Sequence, residues 1–187
     1  MHPLLTISLL LAATLKPDRA LPDDPGRDPL APATSGMVQC YDPDTAGHTC
    51  RLIAAYRPAT DGTWIKIATI LPDPTQHMTV MLETPVAVRN GAVCGTFRRD
   101  QVLAAKLFYF ARPVPADSAL PVLAQIADAL SGGFDHEICT SFVASGGVLL
   151  ARPAFTGTPL VLVDQRMIWV RSDAGFRVEP RGAANGG

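Results

Sequence analysis

The stretch Val86–Phe97 reads VAVRNGAVCGTF, two short β-rich runs joined by Asn90-Gly91. Asn-Gly is the strongest short-range signal for a β-hairpin closed by a two-residue type I′ turn. Directly opposed residues of such a hairpin share a face of the sheet. The predicted pairs are Arg89 with Ala92, Val88 with Val93, and Ala87 with Cys94. Val86, Val88, Val93 and Phe97 then form the apolar face, and Cys94 lies on the other face.

Alternating strands surround this hairpin on both sides. Thr63–Leu71, TWIKIATIL, places Ile65 and Ile67 on one face and Lys66 on the other. HMTVMLE, which follows, repeats the alternation. Further strands are predicted at ICTSFVA, GVLLARPAF, PLVLV, MIWVRS and FRVEP.

Two helices are predicted between these groups of strands. The first is short and follows Asp100, and the longer lies near 118–130, with Pro121 in its first turn and Gly132 after its end. Strands come first, helices next and strands last, an order typical of α+β domains. We therefore expect an α+β fold with a largely antiparallel sheet, both helices packed on one face and two disulfides.

Composition bounds the possible partners. The 187 residues are 48% hydrophobic and 18% charged, as in an ordinary globular domain, and the formal net charge is -1. A nearly neutral chain has no overall field that attracts nucleic acid. Nucleic-acid binding is accordingly not expected.

The N-terminal sequence predicts export. Leu4–Leu15 is an apolar run of signal-peptide length, too short to span a bilayer. We expect a signal peptide at 1–20, a Pro/Asp-rich disordered linker at 21–36, one domain at 37–180 and a flexible tail at 181–187. The mature protein is then periplasmic or secreted and has no integral membrane segment.

Four cysteines in an exported chain predict two disulfides, for which three connectivities exist. We favour Cys40–Cys50, which would staple a turn-rich segment, and Cys94–Cys139, which would tie the hairpin to the segment after the longer helix. Zinc is the alternative. No C-x-x-C pair occurs, so the spacing argues against it.

Two local clusters are candidate sites. Asp42 and Asp44 match the first ligand positions of a calcium loop, but Ile53 stands where a bidentate Glu is required. These aspartates are therefore weak metal candidates beside an ordinary turn, and no cofactor is expected. In FDHEIC, His136 with Asp135 or Glu137 could act as a general base, although a surface turn explains the same residues.

The motifs NGAVCG, EICTSF and the closing IWVRSDAGFRVEP resemble those of uncharacterised exported bacterial proteins with paired cysteines. The resemblance spans about residues 38 to 180 and implies export and a single domain. It attaches no activity, ligand or catalytic residue.

These observations favour an exported noncatalytic domain that binds a ligand or belongs to the cell envelope, where a protein partner is an option. The first alternative is a small secreted hydrolase using His136. The second is a module that binds a partner through a sheet edge.

Overall fold

The computed structural model describes residues 28–157 and 162–181. These residues form twelve β-strands, two α-helices and two short 3-10 helices. The strands are β1 (Met37–Tyr41), β2 (Thr49–Cys50), β3 (Leu52–Pro58), β4 (Trp64–Ile70), β5 (Met78–Arg89), β6 (Ala92–Thr96), β7 (Lys106–Tyr109), β8 (Arg112–Pro113), β9 (Glu137–Ser145), β10 (Val148–Phe155), β11 (Gln165–Arg171) and β12 (Arg177–Val178). The helices are α1 (Arg99–Leu103), α2 (Ala116–Ala129) and the 3-10 turns Ala31–Ser35 and Ser131–Gly133.

Eight of the strands close into an antiparallel β-barrel. Their order around the barrel is β1-β3-β4-β5-β6-β9-β10-β11, and β11 pairs with β1 to complete the ring. In that last pairing Gln39 lies opposite Trp169. Each strand therefore neighbours the next barrel strand along the chain, which is the up-and-down arrangement that removes sheet edges by closure.

The predicted α+β class is wrong. The sheet curls onto itself instead of offering one flat face to helices, and the two helices are short. Both helices, together with β7 and β8, belong to one insertion between β6 and β9, which are direct neighbours in the barrel. Strand-helix-strand order along the chain is the same for an open sheet and for a barrel with one helical insertion, so this order misled the prediction.

The hairpin prediction is confirmed in detail. Asn90 and Gly91 both have positive φ, 50° and 74°, as a type I′ turn requires. All three predicted residue pairs occur in the β5–β6 register, including Ala87 opposite Cys94. Val86 and Val93 are buried inside the barrel.

Both predicted disulfides are present with the predicted pairing. Cys94 and Cys139 lie directly opposite each other on β6 and β9, with their Cα atoms 4.0 Å apart. This bond therefore joins the two strands from which the insertion leaves and to which it returns. Cys40 and Cys50 lie 5.4 Å apart at their Cα atoms and pack outside the barrel with Val170.

Helix α2 lies close to its predicted position. Its buried residues Ala119 and Leu123 pack against Val80 and Leu107, and Val80 is on the inward face of β5, so the helix covers the end of the barrel near the start of β5. The helical spacing of the sequence predicts an apolar stripe of Leu120, Leu123, Ile126, Ala127 and Leu130, but Leu120 is 53% exposed. The buried stripe is thus narrower than the sequence pattern indicated.

One end of the barrel is closed by the chain that precedes β1. Leu30 is fully buried and packs with Val86 and Val93, and the Ala31–Ser35 turn follows it. These residues are the last part of the segment 21–36 predicted as a linker. The predicted signal peptide at 1–20 and the tail beyond Arg181 lie outside the described residues.

Among the residues that the structure describes, we find no helix with the length and apolar character needed to cross a membrane.

Candidate functional site

Small residues leave space inside the barrel. Ala54 of β3 and Ala68 of β4 lie opposite each other and are buried, and Gly95 of β6 also faces inward. A Cβ atom at Gly95 would lie 2.8 Å from a Val86 methyl carbon and 2.9 Å from the Pro85 carbonyl oxygen, so only glycine fits there. The interior encloses a cavity of about 160 Å³.

A second and larger cavity, of about 920 Å³, adjoins the first beneath the helical insertion. The carboxyl-terminal part of α2 forms one wall through Ile126, Ala129 and Leu130, and Phe155 of β10 forms another. Most of the lining is apolar. The two cavities share their lining at Tyr41, Leu52, Ile70, Leu82, Phe97 and Ile138, so they lie directly next to each other.

The inner cavity carries one cationic side chain, Lys66 of β4. Its neighbours across the sheet are Tyr56 of β3 and Thr84 of β5, and its ammonium nitrogen lies 5.9 Å from the centre of the Tyr41 ring. Burial lowers the pKa of Lys66 from 10.5 to about 8, because desolvation disfavours the charged form. Within residues 28–157 and 162–181, Lys66 has no carboxylate partner and makes no hydrogen bond.

Beside Lys66 lies a buried polar network centred on Gln39. The hydroxyls of Tyr41 and Tyr56 both donate to the Gln39 side-chain oxygen, at 2.8 and 2.7 Å. Burial raises the pKa of both tyrosines well above 10, and for Tyr56 the neighbouring Tyr41 adds to the effect. The tyrosines are therefore neutral at physiological pH and cannot neutralise the Lys66 charge.

Gln39 also carries an unused donor. Its side chain is fully buried, and its amide nitrogen has no hydrogen-bond partner among the described residues. Buried polar atoms are nearly always paired, with protein, water or ligand, because an unpaired donor costs about 1–3 kcal/mol. The barrel interior thus contains two donor groups without acceptors, on Gln39 and on Lys66.

The structure does not assemble a catalytic centre at His136. Its ring is exposed and meets Phe155 edge-on, with the ring centroids 6.0 Å apart, and no acid or hydroxyl among the described residues hydrogen-bonds to it. Asp135 is exposed at a turn with φ of 62°. Glu137 forms an ion pair with Arg89 outside the barrel. The three side chains do not converge on one another.

The Asp44 side chain stabilises a turn by hydrogen bonds to the backbone. One of its carboxylate oxygens accepts hydrogen bonds from the backbone N–H groups of Ala46 and Gly47, both at 3.1 Å. Asp42 has a positive φ of 48° and borders the large cavity. This geometry is that of an Asx turn, which needs no ion.

Where the chain is described, the one group of potential metal ligands that lie within reach of one another is Cys94, Glu137 and Cys139. Cys94 and Cys139 are bonded to each other, so neither offers a thiolate. The group is therefore a disulfide beside a carboxylate and not a metal centre.

One sheet edge outside the barrel belongs to the small β7–β8 hairpin, and a second small sheet is formed by β2 and β12. The hairpin turn residues Phe110 and Ala111 have φ of 46° and 58°, a conformation that bulky residues rarely adopt. Tyr109 and Phe110 are more than half exposed, and Phe110 stacks on His77. β8 has only two residues, Arg112 and Pro113, and proline lacks a backbone N–H, so this edge is a poor template for a partner strand.

Both disulfides indicate folding in an oxidising environment, such as the periplasm or the cell exterior.

Sequence reasoning did not identify the interior residues as a site. Lys66 was placed on the face opposite Ile65 and Ile67, but alternation alone does not say which face points inward. The sequence signal that could indicate an interior site is a lysine between two isoleucines on a predicted strand. Gln39 gives a weaker one, because it precedes a predicted disulfide cysteine and alternates with Tyr41.

Comparison of the chain with known protein families, with curated proteins and with solved structures finds no match.

Proposed function

We propose that this protein is an exported, noncatalytic binding domain that takes up a small, largely apolar molecule in its barrel. The observation that carries the proposal is the largely apolar cavity of about 920 Å³ that adjoins the barrel interior. Cavities of this size, with mostly apolar walls and a few polar groups, are typical of small-molecule sites. The apolar N-terminal run, the two disulfides and the resemblance to exported bacterial proteins with paired cysteines support the export part of the proposal.

The architecture supports a binding role in two ways. Leu30 closes one end of the barrel, so a ligand enters from the end that α2 borders. Eight-stranded barrels are also just wide enough to enclose one small ligand. The hydrolase alternative gains no support from the exposed and unpartnered position of His136.

A neutral fluorescent probe tests the proposal directly. N-phenyl-1-naphthylamine fluoresces more strongly in apolar surroundings, and we expect saturable binding with about one probe per chain. Ala129 lines the large cavity and Ala116 does not, although both are exposed alanines of α2. Filling the cavity with Ala129→Trp should weaken probe binding about tenfold, by steric exclusion, whereas Ala116→Trp should leave it unchanged.

Absence of saturable binding would refute the proposal. Equal binding by both tryptophan variants would show that the probe binds elsewhere.

A further inference from the structure

We propose that the inner cavity binds the anionic head of an amphipathic ligand through the Lys66 ammonium group, while the apolar tail occupies the large cavity beneath α2. This inference rests on the proposed function, because it assigns the ligand class of the same cavity. Its parts are a partly buried cation, an adjoining apolar cavity and a polar network that, among the described residues, supplies no negative charge.

Lys66 places a positive charge in the inner cavity. A lysine inside a barrel normally has a carboxylate partner, since an isolated buried ammonium is costly. Among the residues that the structure describes, no aspartate or glutamate lines the inner cavity. Its polar groups near Lys66 are hydroxyls, on Tyr41, Tyr56 and Thr84. A bound anion would supply the missing charge.

The hydrogen-bonding groups of the inner cavity determine which ligand head group fits there. Both tyrosine hydroxyls already donate to Gln39, whose own side chain does not line the cavity. Among the described residues, the donors available to a ligand are therefore the ammonium group and the Thr84 and Thr140 hydroxyls. Donors without acceptors favour a carboxylate or another small anion over a cation or an ether. A cationic head group would meet Lys66 at close range and be repelled.

The apolar tail of the ligand would lie in the large cavity. The six residues shared by the two cavities include Leu52, Ile70, Leu82 and Ile138, and they connect the Lys66 end to the space bordered by Leu130 and Phe155. A flexible alkyl chain can follow this apolar path. The structure therefore matches a monocarboxylate with an aliphatic tail.

In a competition assay, decanoate, 1-decanol and decyltrimethylammonium each displace N-phenyl-1-naphthylamine from the full chain. The three competitors have the same ten-carbon tail and differ in the charge of the head group. We expect decanoate to compete about ten- to a hundredfold better than 1-decanol, as one charge-assisted hydrogen bond provides. Decyltrimethylammonium should compete least. Lys66→Met should abolish the preference for decanoate and leave competition by 1-decanol intact, which also reports that the cavity is folded.

Lys106→Met is the matched control. Lys106 is exposed on β7, away from both cavities, so its loss should leave the decanoate preference unchanged. Decanoate should also lose its advantage as the pH rises from about 7 to about 10, because Lys66 then deprotonates. The other titratable groups facing Lys66 are Tyr41 and Tyr56, which stay neutral in that range because burial raises the pKa of each.

The failures of the two proposals are distinguishable. If the neutral probe binds but decanoate and 1-decanol compete equally, or if the two lysine variants behave alike, the role of Lys66 is overturned and the apolar site stands. If the neutral probe does not bind, both proposals are overturned.

Discussion

The Lys66→Met substitution should make the protein more stable at neutral pH and remove part of its pH dependence. The pKa of Lys66 is about 8 in the folded protein against an ordinary value of 10.5. Below about pH 8 both states carry the proton, and the buried charge destabilises the folded state by about 3 kcal/mol. A methionine of similar length carries no such cost, so the variant should gain stability up to about that amount.

The sign of the pH dependence follows from proton binding. Between about pH 8 and 10.5 the unfolded chain holds a proton that the folded protein has released, so raising the pH disfavours unfolding. The wild-type free energy of unfolding should rise by about 2 kcal/mol from about pH 7 to about pH 9.5 through Lys66. Above about pH 10 the tyrosines of the unfolded chain ionise, while Tyr41 and Tyr56 stay protonated in the folded protein because burial raises the pKa of each. Raising the pH in that range therefore favours unfolding, and the free energy of unfolding falls.

Urea unfolding followed by tryptophan fluorescence measures these effects, because Trp64 and Trp169 both pack in the barrel interior. The assay compares wild type, Lys66→Met and Lys106→Met at the two pH values, without added ligand. All four cysteines are bonded, so alkaline thiol exchange does not interfere. An equal rise with pH in wild type and Lys66→Met, or a loss of stability in Lys66→Met at neutral pH, would refute the buried, uncompensated charge.

Two further substitutions test the barrel itself. Replacing Cys94 and Cys139 together by alanine should lower the free energy of unfolding by about 4 kcal/mol, because the bond closes a separation of 45 residues in the unfolded chain. Urea unfolding measures the loss. An unchanged unfolding midpoint would contradict this prediction. Gly95→Ala should cost about 1–3 kcal/mol by overpacking against Val86, whereas Gly132→Ala, with open space around it, should stay within about 0.5 kcal/mol in the same assay.

The parts of the fold that the sequence predicted depend on local chemistry. Asn90-Gly91 fixes the turn, the turn fixes the register, and the register places Cys94 on the outer face where Cys139 reaches it. The apolar spacing and Gly132 after the helix end, which are also local signals, predict helix α2, although the helix begins at Ala116 and Pro121 lies inside it and not in its first turn. Each of these steps connects residues that are close in sequence or constrained by one turn.

Closure of the barrel could not be predicted in the same way. It depends on β1 pairing with β11, strands separated by more than a hundred residues, and no local pattern encodes that contact. The inward direction of Lys66 depends on the same closure. In an open sheet the Ile65 and Ile67 face would be the natural core, whereas in the barrel it lies outside and Lys66 lines the cavity. The missed fold and the missed site therefore have one cause.

The insertion that obscured the fold class also builds the cavity. The chain leaves the barrel after β6 and returns at β9, and between these points α2 supplies Ile126, Ala129 and Leu130 to the cavity wall. The Cys94–Cys139 bond holds the two barrel strands together at the base of this insertion. The β6–β9 pairing also carries backbone hydrogen bonds, and together with the disulfide it fixes the point from which the cavity wall extends.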